Sequence, residues 1–417
     1  MSLQFITGGS GAGKSEYLSR LVCEESVRRP HDNFIVVVPE QYTMETQKKL
    51  VHMHSRKGIL NIDVVSFERL AYKVFEELGG GNRPVLDDTG KNLIVRRVLE
   101  KEKKKLDYFG SSIEKTGFVS ELKSVISELL QYGITPQQLG EIGENVKEKQ
   151  QLSAKLKDIR LVYKEFMAFL STNYITSEEI LDVLCGLVEK SKLIAGSEII
   201  FDGFTGFTPI QYKLMRLLLV YSKGIKISVT IDKKERPTGH EGWNNLFFMS
   251  KEMMNRLIAI CEEEGINVDD TVCVDRDINY RYEGAKDLAY LERNLFRYKG
   301  GVYTGTPENI RIYEGSNPKE ELQYIVSEIL QLTRKEGFRY RDIAVVTADL
   351  ETYGKVAANM MKQNDIPAFL DYKRSVAANP YVEMLCSALE IVEKGYPYDT
   401  MFRYLRTGLT GISRHDI

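Results

Sequence analysis

The sequence lacks any run of about eighteen apolar residues, the length a helix needs to cross a bilayer. Nor does it open with a basic and then apolar leader, because the first residues pass directly into a short apolar strand and a glycine loop. Both absences set the expectation of a cytoplasmic protein with no membrane partner. Cysteine is sparse: Cys23, Cys185, Cys261, Cys273 and Cys386 are odd in number, widely spread and never spaced C-x-x-C. That spacing argues against a disulfide or zinc framework and for reduced, mostly buried thiols. An excess of positive charge is missing too. At a formal net charge of −2, no global field draws the chain to a polyanion, so any nucleic-acid contact needs a local groove. The run Lys103-Lys104-Lys105 does not supply one, since Glu100, Glu102 and Asp107 beside it make it a solvated helix end. His52 and His54, two apart on a predicted helix, point to different faces and form no metal pair. Internal repeats and low-complexity tracts are absent as well.

What is present is a chain of 417 residues, 43% hydrophobic and 28% charged, with room for two or three cored domains. Its first eighty residues alternate strand and helix. A strand at Phe5-Ile6-Thr7 leads into a helix from Lys14 to about Arg28, with Tyr17, Leu18, Leu21 and Val22 expected on its inner face. Phe34 to Val38 is an apolar, β-branched run stopped by Pro39, which suits a strand buried on both faces of a parallel sheet. A helix from Glu40, a strand at Ile62–Val65 and a helix opening at Ser66 follow. From about residue 83 to 195 the strand signal gives way to amphipathic helices, as in Leu156, Ile159, Val162, Tyr163, Phe166 and Leu170. Strands return at Glu198–Phe201 and Ile225–Ile231, separated by a helix opened by Thr208, Pro209 and Gln211 as N-cap, first-turn proline and capping-box acceptor. Asn317, Pro318 and Glu320 open a later helix that leads to an expected strand at Ile343–Val346. The expected fold class is therefore α/β: a parallel sheet made by residues 1–82 and 196–305, a helical insertion over 83–195, and the start of a second α/β domain over 306–417, truncated at its end.

The chemistry is concentrated in Gly8-Gly9-Ser10-Gly11-Ala12-Gly13-Lys14-Ser15, a G-x-x-x-x-G-K-[ST] phosphate loop placed between a strand and a helix as its mechanism requires. The glycines let backbone N–H groups converge on a β-phosphate at the positive end of the helix. Lys14 would reach the β- and γ-phosphates, and Ser15 would hold Mg²⁺, so ATP and Mg²⁺ are the expected cofactors. Asp202, at the end of the apolar strand Ile199–Phe201, is the expected second Mg²⁺ ligand. Its neighbour is Gly203, where a water-orienting acid would be needed for hydrolysis.

Taken in order, the loop, Val38-Pro39-Glu40-Gln41, Ser66-Phe67-Glu68-Arg69-Leu70-Ala71 and Phe201-Asp202-Gly203-Phe204-Thr205 resemble superfamily 1 DNA helicases. With Phe369-Leu370-Asp371-Tyr372-Lys373-Arg374 and Phe402 to Leu409, the whole chain is similar to the B subunits of bacterial AddAB (RexAB) helicase-nucleases. The resemblance implies a P-loop, helicase-like sheet and a role in resecting double-strand DNA ends for recombinational repair. It also implies an AddA-type partner that supplies the motor, DNA as a ligand, and a part in recognising the Chi sequence. An iron–sulfur nuclease domain is implied only for a C-terminal region beyond this chain. Gly203, the lack of an arginine in Val345–Asp349, and the lack of an upstream glutamine depart from an active motor, so bound ATP is expected to turn over slowly or not at all. Tyr42, Phe67 and Phe204 occupy helicase-like positions and are the candidate base-stacking residues. Asp371-Tyr372-Lys373 matches an acid-x-Lys nuclease triplet of a kind that charged chains also produce by chance. Two other readings stay open: a free-standing P-loop phosphotransferase or ATPase, and a scaffold whose loop is a relic.

Overall fold

Strand formation follows the apolar, β-branched runs. The computed structural model describes residues 1–79, 84–115, 117–146, 149–176, 178–235, 242–297, 300–371 and 376–412. In chain order the strands are β1 (Ser2–Gly8), β2 (Asn33–Val37), β3 (Ile62–Val65), β4 (Val85–Leu86), β5 (Ile175–Thr176), β6 (Ser197–Phe201), β7 (Gly224–Thr230), β8 (Asn267–Val268) and β9 (Val272–Cys273). The main sheet runs β3-β2-β6-β7-β1-β8, with β9 also on β1, and every pairing is parallel. All strand carboxyl ends therefore meet at one edge, where ligands of open α/β sheets bind.

The helices of this sheet are α1 (Lys14–Arg28), α2 (Thr43–Met53) and α3 (Phe67–Leu78). Side chains alternate across each strand. Ile6, Phe34, Val36 and Ile200 pack with Leu18, Val22 and Leu50 of α1 and α2 on one face. Phe5, Ile35, Val37, Phe201 and Ile227 pack on the other with α3 and four later helices. The result is three layers, helix–sheet–helix. Within α1 the buried face carries Leu18, Ser19, Val22, Cys23 and Ser26. Tyr17, expected inside, is 38% exposed, because the buried stripe starts one residue later.

The insertion holds α4 (Asp88–Glu102), α5 (Phe118–Gln131), α6 (Pro136–Asn145) and α7 (Gln150–Asn173). They share a core of their own that includes Val95, Leu99, Ile126, Val162 and Phe166. No strand signal is legible in this stretch of sequence, yet β4 and β5 form a two-residue parallel pair that brings the two ends of the insertion together. The chain then returns through α8 (Ile180–Cys185), α9 (Lys192–Ala195), α10 (Pro209–Tyr221), α11 (Phe248–Glu264) and α12 (Lys286–Asn294). The Thr208/Gln211 capping box and first-turn Pro209 of α10 form as expected.

Residues 1–310 make one compact unit and 311–417 a second. The second contains α13 (Pro318–Lys335), α14 (Leu350–Gln363), α15 (Pro380–Lys394) and α16 (Tyr398–Arg406), and no strand among the described residues. The expected strand Ile343–Val346 is unpaired extended chain after a 3-10 turn at Tyr340–Asp342, with Val346 91% exposed. β-propensity is realised only against a neighbouring strand, and the described part of residues 311–417 presents none. Among the described residues no helix is long and apolar enough to cross a membrane.

Candidate nucleotide-binding site

The loop between β1 and α1 is built by its glycines. Gly11 and Gly13 have φ of +73° and +96°, values that L side chains rarely adopt, and Gly13 is the N-cap of α1. The turn leaves Lys14 bent back over the loop, donating to the carbonyl oxygens of Gly8 at 2.9 Å and Gly9 at 2.8 Å. Ser15 is exposed at the first turn of α1. Gly8, Gly9 and Ala12 are buried, and Ser10, Gly11 and Gly13 half-buried.

Asp202 follows β6 at the same edge. The order β6-β7-β1 puts one strand between it and the loop, about 10 Å at two sheet spacings. Ser228 of β7 donates its hydroxyl to Asp202 Oδ1 at 2.5 Å and accepts from Gly203 N at 3.3 Å, fixing the carboxylate. Burial pushes the Lys14 ammonium below the usual lysine value, while Asp202, Asp275 and Glu292 pull it back up. Three carboxylates and the opposing Arg281 guanidinium thus act on one half-buried cation. Mg²⁺ is ordinarily held by one or two carboxylates together with substrate phosphates, which a Ser15 hydroxyl and an Asp202 carboxylate fit. Among the described residues no group of three or more His, Cys, Asp and Glu is placed to hold a metal ion by itself.

A second wall of the site went unforeseen in the sequence. Asp275 lies just past β9, and Asn279, Tyr280 and Arg281 follow in a turn that ends on the loop. Asn279 Nδ2 donates to Ser10 O at 3.3 Å, Arg281 N donates to Gly11 O at 3.3 Å, and Glu292 of α12 accepts from Ser10 N at 3.2 Å. Asp275, its side chain almost fully buried, accepts from Lys233 N at 3.1 Å and lies 3.5 Å from Arg293. The strand-end rule would have found Asp275 had β9 been legible. A two-residue strand carries no periodicity to read.

The helicase-like aromatics separate into different environments. Phe67 is only 7% exposed and packs with Phe201, Phe204 and Phe207 at centroid distances of 5.7, 5.4 and 6.1 Å. Phe204 is half-buried, and Tyr42 is 47% exposed at the end of the 3-10 turn Glu40–Tyr42. Phe67 and Phe204 line a cleft of about 370 Å³ between the sheet edge and α5, together with Glu40, Glu68, Gln131 and Glu178. Glu40 pairs with Arg69 and Glu178 with Lys91. The wall thus combines paired acids and aromatic rings with the apolar Val38, Pro39, Leu181 and Ile210. Asp371 is exposed, and Tyr372, Lys373 and Arg374 lie outside the described residues.

Of the cysteines, Cys23, Cys185 and Cys261 are buried, Cys273 and Cys386 exposed, and all five are free thiols. His54 is buried and within 3.1 Å of Ser26 Oγ, whereas His52 is exposed and bonds its own helix at Lys48 O.

The family described as ADDB, N-terminal, matches residues 5–292. The B subunit of the ATP-dependent helicase/deoxyribonuclease of Lachnoclostridium phytofermentans is 42% identical over 420 residues, covering 100% of this chain and 36% of that protein. The proteins of the same name from Caldanaerobacter subterraneus and Clostridioides difficile are each 36% identical, again across 100% of this chain and 36% of their own length. The chain therefore spans about a third of the relatives it matches. With the family match extending from β1 to the Glu292 helix, and relatives aligning along its full length, the chain belongs to the AddB family.

Proposed function

We propose that this chain is the ATP-binding, helicase-like region of a helicase–nuclease subunit that works with an AddA-type partner on double-strand DNA ends, as an inactivated motor that tracks or scans DNA for Chi. The observation that carries the reading is the loop itself: a lysine folded onto the Gly8 and Gly9 carbonyls, with Asp202 two strands away at the same sheet edge. When nucleotide binds, Lys14 exchanges two carbonyl acceptors for phosphate oxygens, and the backbone N–H groups of Gly9 to Gly13 surround the β-phosphate. Ser15 and Asp202 would hold Mg²⁺, which would supply positive charge against the phosphates that Asp275 and Glu292 oppose. Slow turnover is supported by Gly203, which offers no side chain to orient water. The acidic, aromatic cleft beside Phe204 supports contact with unstacked bases, with phosphates kept outside it.

The test is titration of Mg·ATP into the chain and into Lys14→Ala, followed by phosphate release with and without single-stranded DNA. Binding lost in Lys14→Ala, with little release under either condition, is the expected result. Rapid DNA-stimulated release would mean a working motor, and absence of binding would leave the loop a relic.

A further inference from the structure

One carboxylate in the site has no role in holding nucleotide and stands where nucleotide should be. Glu292 Oε1 accepts from Ser10 N at 3.2 Å and lies 3.0 Å from where a Cβ on Gly9 would be. The loop N–H groups are the phosphate donors of such a site, so a carboxylate on one of them is chemically a phosphate substitute. Other residues of the same segment hold the loop itself. Asn279 Nδ2 reaches Ser10 O, Arg281 N reaches Gly11 O, and the Tyr280 ring lies 3.5 Å from where a Gly13 Cβ would be. Burial, with Asp275 and Asp232 nearby, disfavours the Glu292 charge. The buried charge is therefore costly to keep, the Ser10 N–H and Arg293 offset only part of that cost, and a better anion can take the carboxylate's place on the loop.

The other end of α12 leads out of the unit. Asp287, in its first turn, accepts from Glu308 N at 2.9 Å, Asn309 N at 2.7 Å and Asn309 Nδ2 at 2.9 Å. Residues 308 and 309 immediately precede the boundary at 310. A single nine-residue helix thus touches the phosphate loop with one acid and the exit of the unit with another.

We propose that Glu292 is a built-in competitor for the phosphate loop: it occupies Ser10 N in the nucleotide-free protein, gives it up to an incoming nucleoside triphosphate, and so reports occupancy through α12 and Asp287 to residues 308–309. The inference rests on the nucleotide-binding reading above and adds a regulation to it. A charge-assisted contact exchanged for a like one, with a neighbouring negative charge removed, predicts that Glu292→Ala binds Mg·ATP about tenfold more tightly than the natural chain. Glu292→Gln, which keeps the acceptor oxygen and loses the charge, should fall between the two. Hydrogen exchange in the unaltered chain supplies a readout that needs no variant: Mg·ATP should change protection at the Glu308 and Asn309 amides, and inorganic phosphate at high concentration should do so more weakly.

Equal or weaker binding by both variants, with binding intact in the unaltered chain, overturns the competitor and leaves the nucleotide site standing. Unchanged protection at 308–309 on saturation with Mg·ATP overturns the relay. Absence of binding in the unaltered chain and in both variants overturns the nucleotide reading itself. Binding that emerges only in Glu292→Ala would support the competitor in its strongest form.

Discussion

Gly11 carries two separate demands that one substitution can resolve. Its φ of +73° alone disfavours any side chain, and a Cβ there would sit 2.6 Å from Arg281 Cβ, an atom fixed close to its own backbone. Gly265 makes only the first demand, with φ +66° and nothing within 4 Å of an added Cβ. Gly265→Ala should cost about 1 kcal/mol, and Gly11→Ala clearly more, about 1–3 kcal/mol beyond the backbone term alone. Thermal unfolding of the two variants side by side measures the Arg281 contact by difference. If they lose the same stability, the wall is not packed on the loop. Asp287 makes a second residue-scale claim. The N–H of Asn309, then its side-chain amide, hold the carboxyl well below the usual range, at about 2. A carboxylate with a depressed folded-state pKa stabilises fully above its unfolded value of about 3.9 and loses that contribution as pH falls towards 2. The Tm difference between the natural chain and Asp287→Asn should therefore be constant at neutral pH and shrink between about pH 4 and pH 2. A difference that stays level across that window would mean the carboxylate is not bonded as described.

At the scale of elements, the legible parts are those whose signals are local. The glycine turn between β1 and α1, the Ser66, Thr208 and Asn317 caps and the Phe34–Val37 strand all appear where residue chemistry within a few positions requires them. The Thr208 box is testable on its own: Thr208→Ala removes the acceptor for Gln211 N and should cost about 1 kcal/mol. Thr208→Ser should restore most of it. What was not legible depends on distant partners. β8 and β9 are strands only because β1 offers them an edge, and Ile343–Val346 is not one because the described part of residues 311–417 offers it none. Asp275 and Glu292 reach the loop from more than 260 positions away along the chain, a convergence that no spacing rule encodes. Phe67 shows how packing context adds to a local motif. It sits in a helicase-like segment, but its immediate neighbours Phe201, Phe204 and Phe207 make it part of the core wall, and the ring offers little free face.

At the scale of the first unit, the sheet and the insertion are joined but separately cored. The insertion enters after Leu86 and leaves at Ile175, residues on neighbouring parallel strands, and its packed residues form a cluster distinct from both faces of the sheet. Because β4 and β5 are parallel, the link between them is a crossover, and a glycine-rich link of about a dozen residues, the length such a crossover needs, can replace residues 87–174. The loop wall, by contrast, comes entirely from residues 275–292, on the far side of the sheet order from β2 and β3. The two functions proposed for this unit should therefore separate. The shortened chain should fold and keep its affinity for Mg·ATP within about threefold, because neither the loop, Asp202 nor Glu292 touches what was removed. It should lose whatever affinity for single-stranded DNA the parent has, since α5 contributes Gln131 to the cleft wall. Circular dichroism, nucleotide titration and DNA titration on the same preparation decide it. Retained DNA affinity would move the DNA contact away from the cleft, and lost nucleotide affinity in a folded product would mean that the insertion supports the loop.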